Sequence, residues 1–81
     1  MKKIVAVTAH YDVLGRITPV LLWWEDGRRF EIDRVSDVRR AASLKAGGQG
    51  MRYTCRILGK ERYLYLDGQQ WFVEAPDQSG G

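Results

Sequence analysis

The chain has 81 residues, a formal net charge of +3, one cysteine and one histidine. A chain of this length forms one domain and buries only roughly 60% of the surface that it exposes when unfolded. One cysteine excludes an internal disulfide, and no apolar run reaches membrane-spanning length, so we expect a monomeric, cofactor-free protein of the reducing cytoplasm.

Two apolar segments near the N-terminus predict the first two strands. The first covers residues 3–11, and the sequence leaves open which of its faces is buried, the one with Val5, Val7 and Tyr11 or the one with Ile4 and Ala6. The second covers residues 17–25, with Pro19 near its start, where a missing N–H is best tolerated.

Glu25-Asp26-Gly27 predicts a hairpin after the second strand. A glycine in the third position favours a type I turn closed by a bulge, which pairs Leu22 with Phe30 and Val20 with Ile32. A plain two-residue Asp-Gly turn would instead pair Trp23 with Phe30. We prefer the bulged form.

The segment 36–45 is ambiguous. Ser36 is a suitable helix N-cap, but the segment is short and lacks an apolar stripe, so we expect the third strand to continue to about Arg39. An irregular basic loop would follow, with a short helical turn over 40–45 as the alternative. The glycine-rich run 47–50 is interpreted as a connection that uses positive φ values.

Residues 51–75 form the clearest pattern, three short strands joined by tight turns. Gly59-Lys60 suits a type II′ turn and Asp67-Gly68 a type I′ turn. These turns set Cys55 opposite Leu64, and Leu64 opposite Trp71. The predicted core face holds Met51, Tyr53, Cys55, Ile57, Leu64, Leu66, Trp71 and Val73. The other face holds Arg52, Thr54, Arg56, Tyr63, Tyr65, Gln70, Phe72 and Glu74.

Six strands joined by short connections predict an all-β fold. The expected architecture is a small six-stranded antiparallel barrel or strongly curled sheet, which hides its edges. An SH3-like barrel is favoured over an OB-like one because no long helix interrupts the strands. We expect a single domain over residues 1–75 and a flexible tail over 76–81, which has a loop composition.

The residues do not predict an enzyme or a metal protein. His10 and Cys55 have no third partner for a nucleophilic site and no metal-ligand spacing around them. The run Gly47-Gly48-Gln49-Gly50 lacks the Lys-Ser/Thr of a phosphate-binding P-loop and opens a strand. No catalytic residue, metal or cofactor is therefore expected.

Several motifs resemble a known family. They are Trp24-x-Asp26-Gly27-Arg28-x-Phe30, Gly47-Gly48-x-Gly50-x-Arg52-Tyr53-Thr54 and Trp71-Phe72-Val73-Glu74. The string, which covers about residues 17–75, resembles small uncharacterised bacterial proteins that are often encoded beside Y-family, lesion-bypass DNA polymerases. The resemblance implies a link to DNA repair and a polymerase partner, and it supplies no site residues.

Charge and aromatic residues suggest a binding function. Residues 38–60 contain six basic residues and no acidic one, which favours a polyanionic partner. Small barrels hold single-stranded nucleic acid by stacking bases on aromatic rings beside arginines. The residues expected to do so here are Arg39, Arg40, Lys45, Arg52, Arg56, Tyr63, Tyr65 and Phe72.

Two alternatives remain open. The rings of Tyr63, Tyr65 and Phe72 could instead form a second core layer under the first strand, with Arg56 over Tyr63. The protein could also be a protein–protein interaction module, anchored by the same aromatics or by Trp23 and Trp24.

Overall fold

A computed structural model describes residues 2–43 and 48–74, and every regular element in them is a strand. The seven strands are Lys2–Tyr11 (β1), Ile17–Trp23 (β2), Arg29–Glu31 (β3), Arg34–Ser43 (β4), Gly48–Ile57 (β5), Lys60–Asp67 (β6) and Gln70–Glu74 (β7). They form one antiparallel sheet in the order β3-β2-β1-β7-β6-β5-β4. The all-β prediction is confirmed, with seven strands where six are expected.

The sheet is strongly curled into a half-barrel. Its two edge strands, β3 and β4, follow one another in the chain and are separated only by Ile32 and Asp33. The Ile32 N–H donates to the Val20 carbonyl of β2 at 3.0 Å, whereas the Asp33 N–H donates to the Arg56 carbonyl of β5 at 2.9 Å. Adjacent residues therefore bond to opposite ends of the sheet, which requires it to curl round.

The strand β4 corrects the expectation for the segment 36–45. It continues through Arg40 to Ser43 and pairs with β5 as far as Gly48, so this stretch is neither a loop nor a helical turn. Pairing with β5 decides the conformation where local propensity does not. The glycine-rich run likewise lies in β5 from Gly48 onward. Lys45 and Gly47, and the predicted tail at 76–81, lie outside the described residues.

The bulged hairpin between β2 and β3 is confirmed. Leu22 is the partner of Phe30, and the Trp24 N–H donates to the Arg28 carbonyl at 2.8 Å. Gly27 has φ 90°, as the left-handed position of such a turn requires. Val20, however, is 40% exposed. A bulge in the β1–β2 ladder skips it and places Pro19 in the interior, where a missing N–H breaks no ladder bond.

Both turns of the β5–β6–β7 meander are displaced by one residue from their predicted positions, which shifts the strand partners by two residues. The observed partners include Tyr53 with Leu64, and Leu66 with Trp71. The first turn uses Leu58 and Gly59 as its central residues, both with positive φ. A shift of two residues leaves every side chain on its face. The predicted core face is therefore correct although the predicted partners are wrong.

The core lies on the concave face. Its buried members are Val5, Leu22, Tyr53, Cys55, Leu64, Leu66 and Trp71. The buried face of β1 is the one with Val5, since Val7 and Ala9 also pack against the core while Ile4 is 48% exposed. Tyr11, which was grouped with Val5, is 65% exposed. The rings of Tyr53 and Trp71 meet at a tilt with centroids 5.3 Å apart.

Candidate nucleic-acid interface

The convex side of β4, β5 and β6 carries a cluster of arginines around one tyrosine. Arg34 is the ladder partner of Arg56, and Arg39 is the partner of Arg52. Partners in an antiparallel ladder point to the same face, with Cβ atoms about 4.5–5.5 Å apart. Tyr63 lies beside them on β6, opposite Thr54. We name the set Arg34, Arg39, Arg52, Arg56 and Tyr63 the arginine face.

Arg52 and Tyr63 form the centre of this face. The Arg52 guanidinium carbon lies 4.4 Å from the centroid of the Tyr63 ring, which is a cation–π arrangement. Tyr63 is 47% exposed, so its ring is open to a ligand. The Nε atom of Arg52 is enclosed and makes no hydrogen bond, which leaves one donor of this guanidinium unsatisfied. The alternative with a second core layer placed Arg56 over Tyr63, and the two-residue shift in strand partners puts Arg52 there instead.

An acid lies within the same patch. Arg39 donates from Nε to the Asp37 carboxylate at 2.7 Å, and both side chains are exposed to solvent. This hydrogen bond lowers the pKa of Asp37 below its ordinary value, and the charges of Arg39 and Arg52 lower it further. The same contact raises the pKa of Arg39. Part of the positive charge of Arg39 is therefore neutralised within the chain.

Tyr65 and Phe72 are not available for base stacking. They are 2% and 0% exposed, and their rings stack on each other with centroids 5.0 Å apart and an angle of 7° between planes. The Lys2 ammonium of β1 lies 4.6 Å from the Phe72 centroid. The Tyr65 hydroxyl donates to Glu74 at 3.0 Å. The second core layer is thus real for these two rings, and only Tyr63 stays outside it.

Two further expectations change in the structure. Arg40 is the partner of Met51, so it lies on the opposite face of β4 from Arg39 and outside the arginine face. Arg34 belongs to the face although it was not expected there. Sequence reasoning could have found it, because an antiparallel β4–β5 pair brings the first residue of β4 opposite Arg56. The predicted end of the third strand concealed that pairing.

The described residues show no grouping of three or more His, Cys, Asp or Glu side chains that could hold a metal ion. Cys55 is fully buried, and burial raises the pKa of its thiol to about 11. A thiol so protonated is a poor nucleophile at neutral pH. His10 is exposed on β1. The interface offers positive charge and one exposed ring for stacking.

The chain matches no family model, no curated protein and no solved structure. Within residues 2–43 and 48–74 there is no helix with the length and hydropathy to cross a membrane. The resemblance to proteins encoded beside lesion-bypass polymerases therefore stays a prediction.

Proposed function

We propose that the chain is a non-enzymatic binding module that holds single-stranded nucleic acid on the arginine face. The observation that carries the proposal is the pairing of like charges, Arg34 with Arg56 and Arg39 with Arg52, across two neighbouring strands. Like charges placed directly opposite each other destabilise a sheet. Phosphates bound between the arginines would remove this repulsion, so the free protein is arranged for an anionic ligand.

The acids near the face reduce the repulsion without abolishing it. Asp37 pairs with Arg39, and Glu61 is the ladder partner of Arg56 on β6. Four arginines against two acids leave the face with net positive charge. Neither Arg52 nor Arg34 makes an ion pair within the described residues. Arg52, Arg56 and Arg34 are therefore the proposed phosphate contacts.

The spacing suits an extended strand better than a compact anion. Arg52 and Arg56 are four residues apart on β5, which is about 13 Å along a strand. An extended single strand covers that distance with a few nucleotides, and Tyr63 lies between the two arginine pairs. Base–aromatic stacking contributes about 1–3 kcal/mol per base. With one open ring, the proposed affinity rests mostly on phosphates and depends strongly on salt.

The test is a fluorescence-anisotropy titration with a labelled oligothymidylate at several salt concentrations. Arg52→Ala combined with Arg56→Ala should weaken binding to all sequences alike and reduce the slope of log K against log salt by about 1.4, at about 0.7 per single-strand phosphate contact. Tyr63→Ala should weaken binding and leave that slope unchanged, because stacking releases no counterions.

The matched control is Arg16→Ala, which removes an exposed arginine of the β1–β2 loop that is ion-paired with Asp12. It should bind as the unchanged protein does. If the unchanged protein at low salt binds no single-stranded or duplex oligonucleotide, the proposal fails. If the control loses as much affinity as the double variant, binding reflects net charge and not this face.

The second candidate is a protein-interaction module, and one observation favours it. Leu58, at the tip of the β5–β6 turn, is 75% exposed and lines a cavity of about 600 Å³ together with Trp24 and Phe30. Trp23 and Trp24 themselves are half-buried, so Leu58 and Tyr63 would be its anchors. Such binding would change little with salt. A Y-family polymerase as partner, a role in lesion bypass and the SH3-like assignment rest on the sequence analysis alone.

A further inference from the structure

The strand β4 leaves a long edge of the sheet without a neighbour. It has ten residues, Arg34–Ser43, and among the described strands it pairs with β5 on one side only. Its single irregularity is the bulge between Val35 and Asp37. The other edge strand, β3, has three residues. A long regular edge presents unpaired backbone N–H and C=O groups to any strand that can align with it.

Charges on such an edge normally prevent pairing, but on β4 their order is self-complementary. Asp37 and Arg39 lie on the convex face with Val38 between them, and Val38 is 46% exposed. An antiparallel copy related by a two-fold axis through Val38 would place Asp37 opposite Arg39 of the second chain. The same operation places Arg39 opposite the second Asp37.

We propose that β4 pairs with β4 of a second copy of this chain, in antiparallel register with Val38 opposite Val38. The two sheets would join into one across this edge. Each dimer would gain two opposite-charge cross-strand pairs on the convex face and a Val38–Val38 contact on the concave face. The proposed dimer differs from the monomer that the sequence analysis predicts.

The charges also select the register. Moving the axis to Arg39 brings the two Arg39 side chains together, and moving it to Asp37 brings the two carboxylates together. Like charges directly opposite each other are unfavourable, so both neighbouring registers are disfavoured. The bulge at Ser36 limits the paired segment to about residues 36–40, and we expect a weak, concentration-dependent dimer.

The pairing is independent of nucleic acid, and it is tested without it. Sedimentation velocity of the unchanged protein from micromolar to low-millimolar concentration should show a dimer forming as concentration rises. Asp37→Arg and Arg39→Asp each turn both cross-strand pairs into like-charge pairs, so each variant should need about ten- to thirtyfold higher concentration to dimerise. An equimolar mixture of the two variants should dimerise as the unchanged protein does, because opposite charges meet again.

The matched control is Arg29→Asp, the same charge change on β3 at the other edge of the sheet, and it should leave dimerisation unchanged. Circular dichroism verifies that each variant is folded. A monomer throughout the range overturns the proposal. So does a dimer that both β4 variants leave intact, since another surface would then hold it, and so does a mixture that associates no better than its components.

Discussion

The turn between β5 and β6 holds a leucine in a conformation that leucine rarely adopts. Leu58 has φ 52° and Gly59 has φ 76°, the two positive values of a type I′ turn. A left-handed conformation costs most L-residues about 1–2 kcal/mol, whereas asparagine tolerates it better. We therefore expect Leu58→Asn to stabilise the protein.

The gain can be worked out from the exposure of the side chain. Leu58 is 75% exposed, so the substitution forfeits about a quarter of the 1.5–3 kcal/mol of a fully buried leucine, or about 0.4–0.8 kcal/mol. Relief of the backbone should exceed this loss and leave a net gain of about 0.5–1 kcal/mol. For a domain of this size the gain corresponds to a rise in Tm of about 2–8 °C.

Urea and thermal unfolding followed by tryptophan fluorescence measure the effect. Leu14→Asn is the matched control, because Leu14 is also 75% exposed but has no positive φ. It should be neutral or slightly destabilising. If Leu58→Asn is no better than Leu14→Asn, the turn uses Gly59 and Lys60 as its central residues and the β5–β6 pairing slides by two positions.

Three further outcomes are expected. Trp71→Ala should cost about 3–5 kcal/mol in unfolding experiments, since Trp71 is 8% exposed and packs on Tyr53, and a loss under about 1 kcal/mol would contradict the core assignment. Gly50→Ala should cost about 1–3 kcal/mol, because a Cβ there would lie 2.3 Å from the Leu66 carbonyl oxygen at φ 155°, and an unchanged Tm would show that β5 is placed differently. Burial raises the pKa of the Cys55 thiol from 9.0 to about 11. The unfolded chain therefore loses this proton more readily than the folded protein, so the free energy of unfolding is unaffected below about pH 9 and falls as the pH rises toward 11. Between pH 9 and 11 the free energy of unfolding should fall by about 1–3 kcal/mol more in the unchanged protein than in Cys55→Ala. If the two free energies change with pH in parallel, the thiol is not buried.

The faces of the meander could be predicted from sequence because they depend only on alternation. Tyr53, Cys55, Leu64 and Trp71 all reach the core as expected, although both turns are displaced. Turn propensity favoured Gly59-Lys60, whose glycine suits a type II′ turn. The chain instead accepts Leu58 at positive φ, and the period of two conceals the difference.

The burial of the convex face could not be predicted in the same way. The alternation of side chains along the strands predicts that Tyr63, Tyr65 and Phe72 share a face, but it does not predict which residues cover each ring. Strand order decides this, because pairing of β1 with β7 brings Lys2 over Phe72, whereas Tyr63 on β6 lies nearer the open β4 edge. The full length of β4 was not predicted for a similar reason, since the segment is extended because it pairs with β5 and not because of its local sequence.

The departures from local rules concentrate at one place in the fold. Like charges face each other across β4 and β5, Arg52 keeps an unsatisfied enclosed N–H, and β4 leaves its outer edge open. Most of the remaining described sheet follows its pattern, with apolar residues inside, and the clearest other departure is the turn that holds Leu58 at positive φ. Sequences that specify a fold agree across levels, and natural proteins violate that agreement chiefly at functional sites. The proposed nucleic-acid interface and the proposed contact with a second copy both include residues of the β4–β5 pair, so variants of these two strands test both proposals.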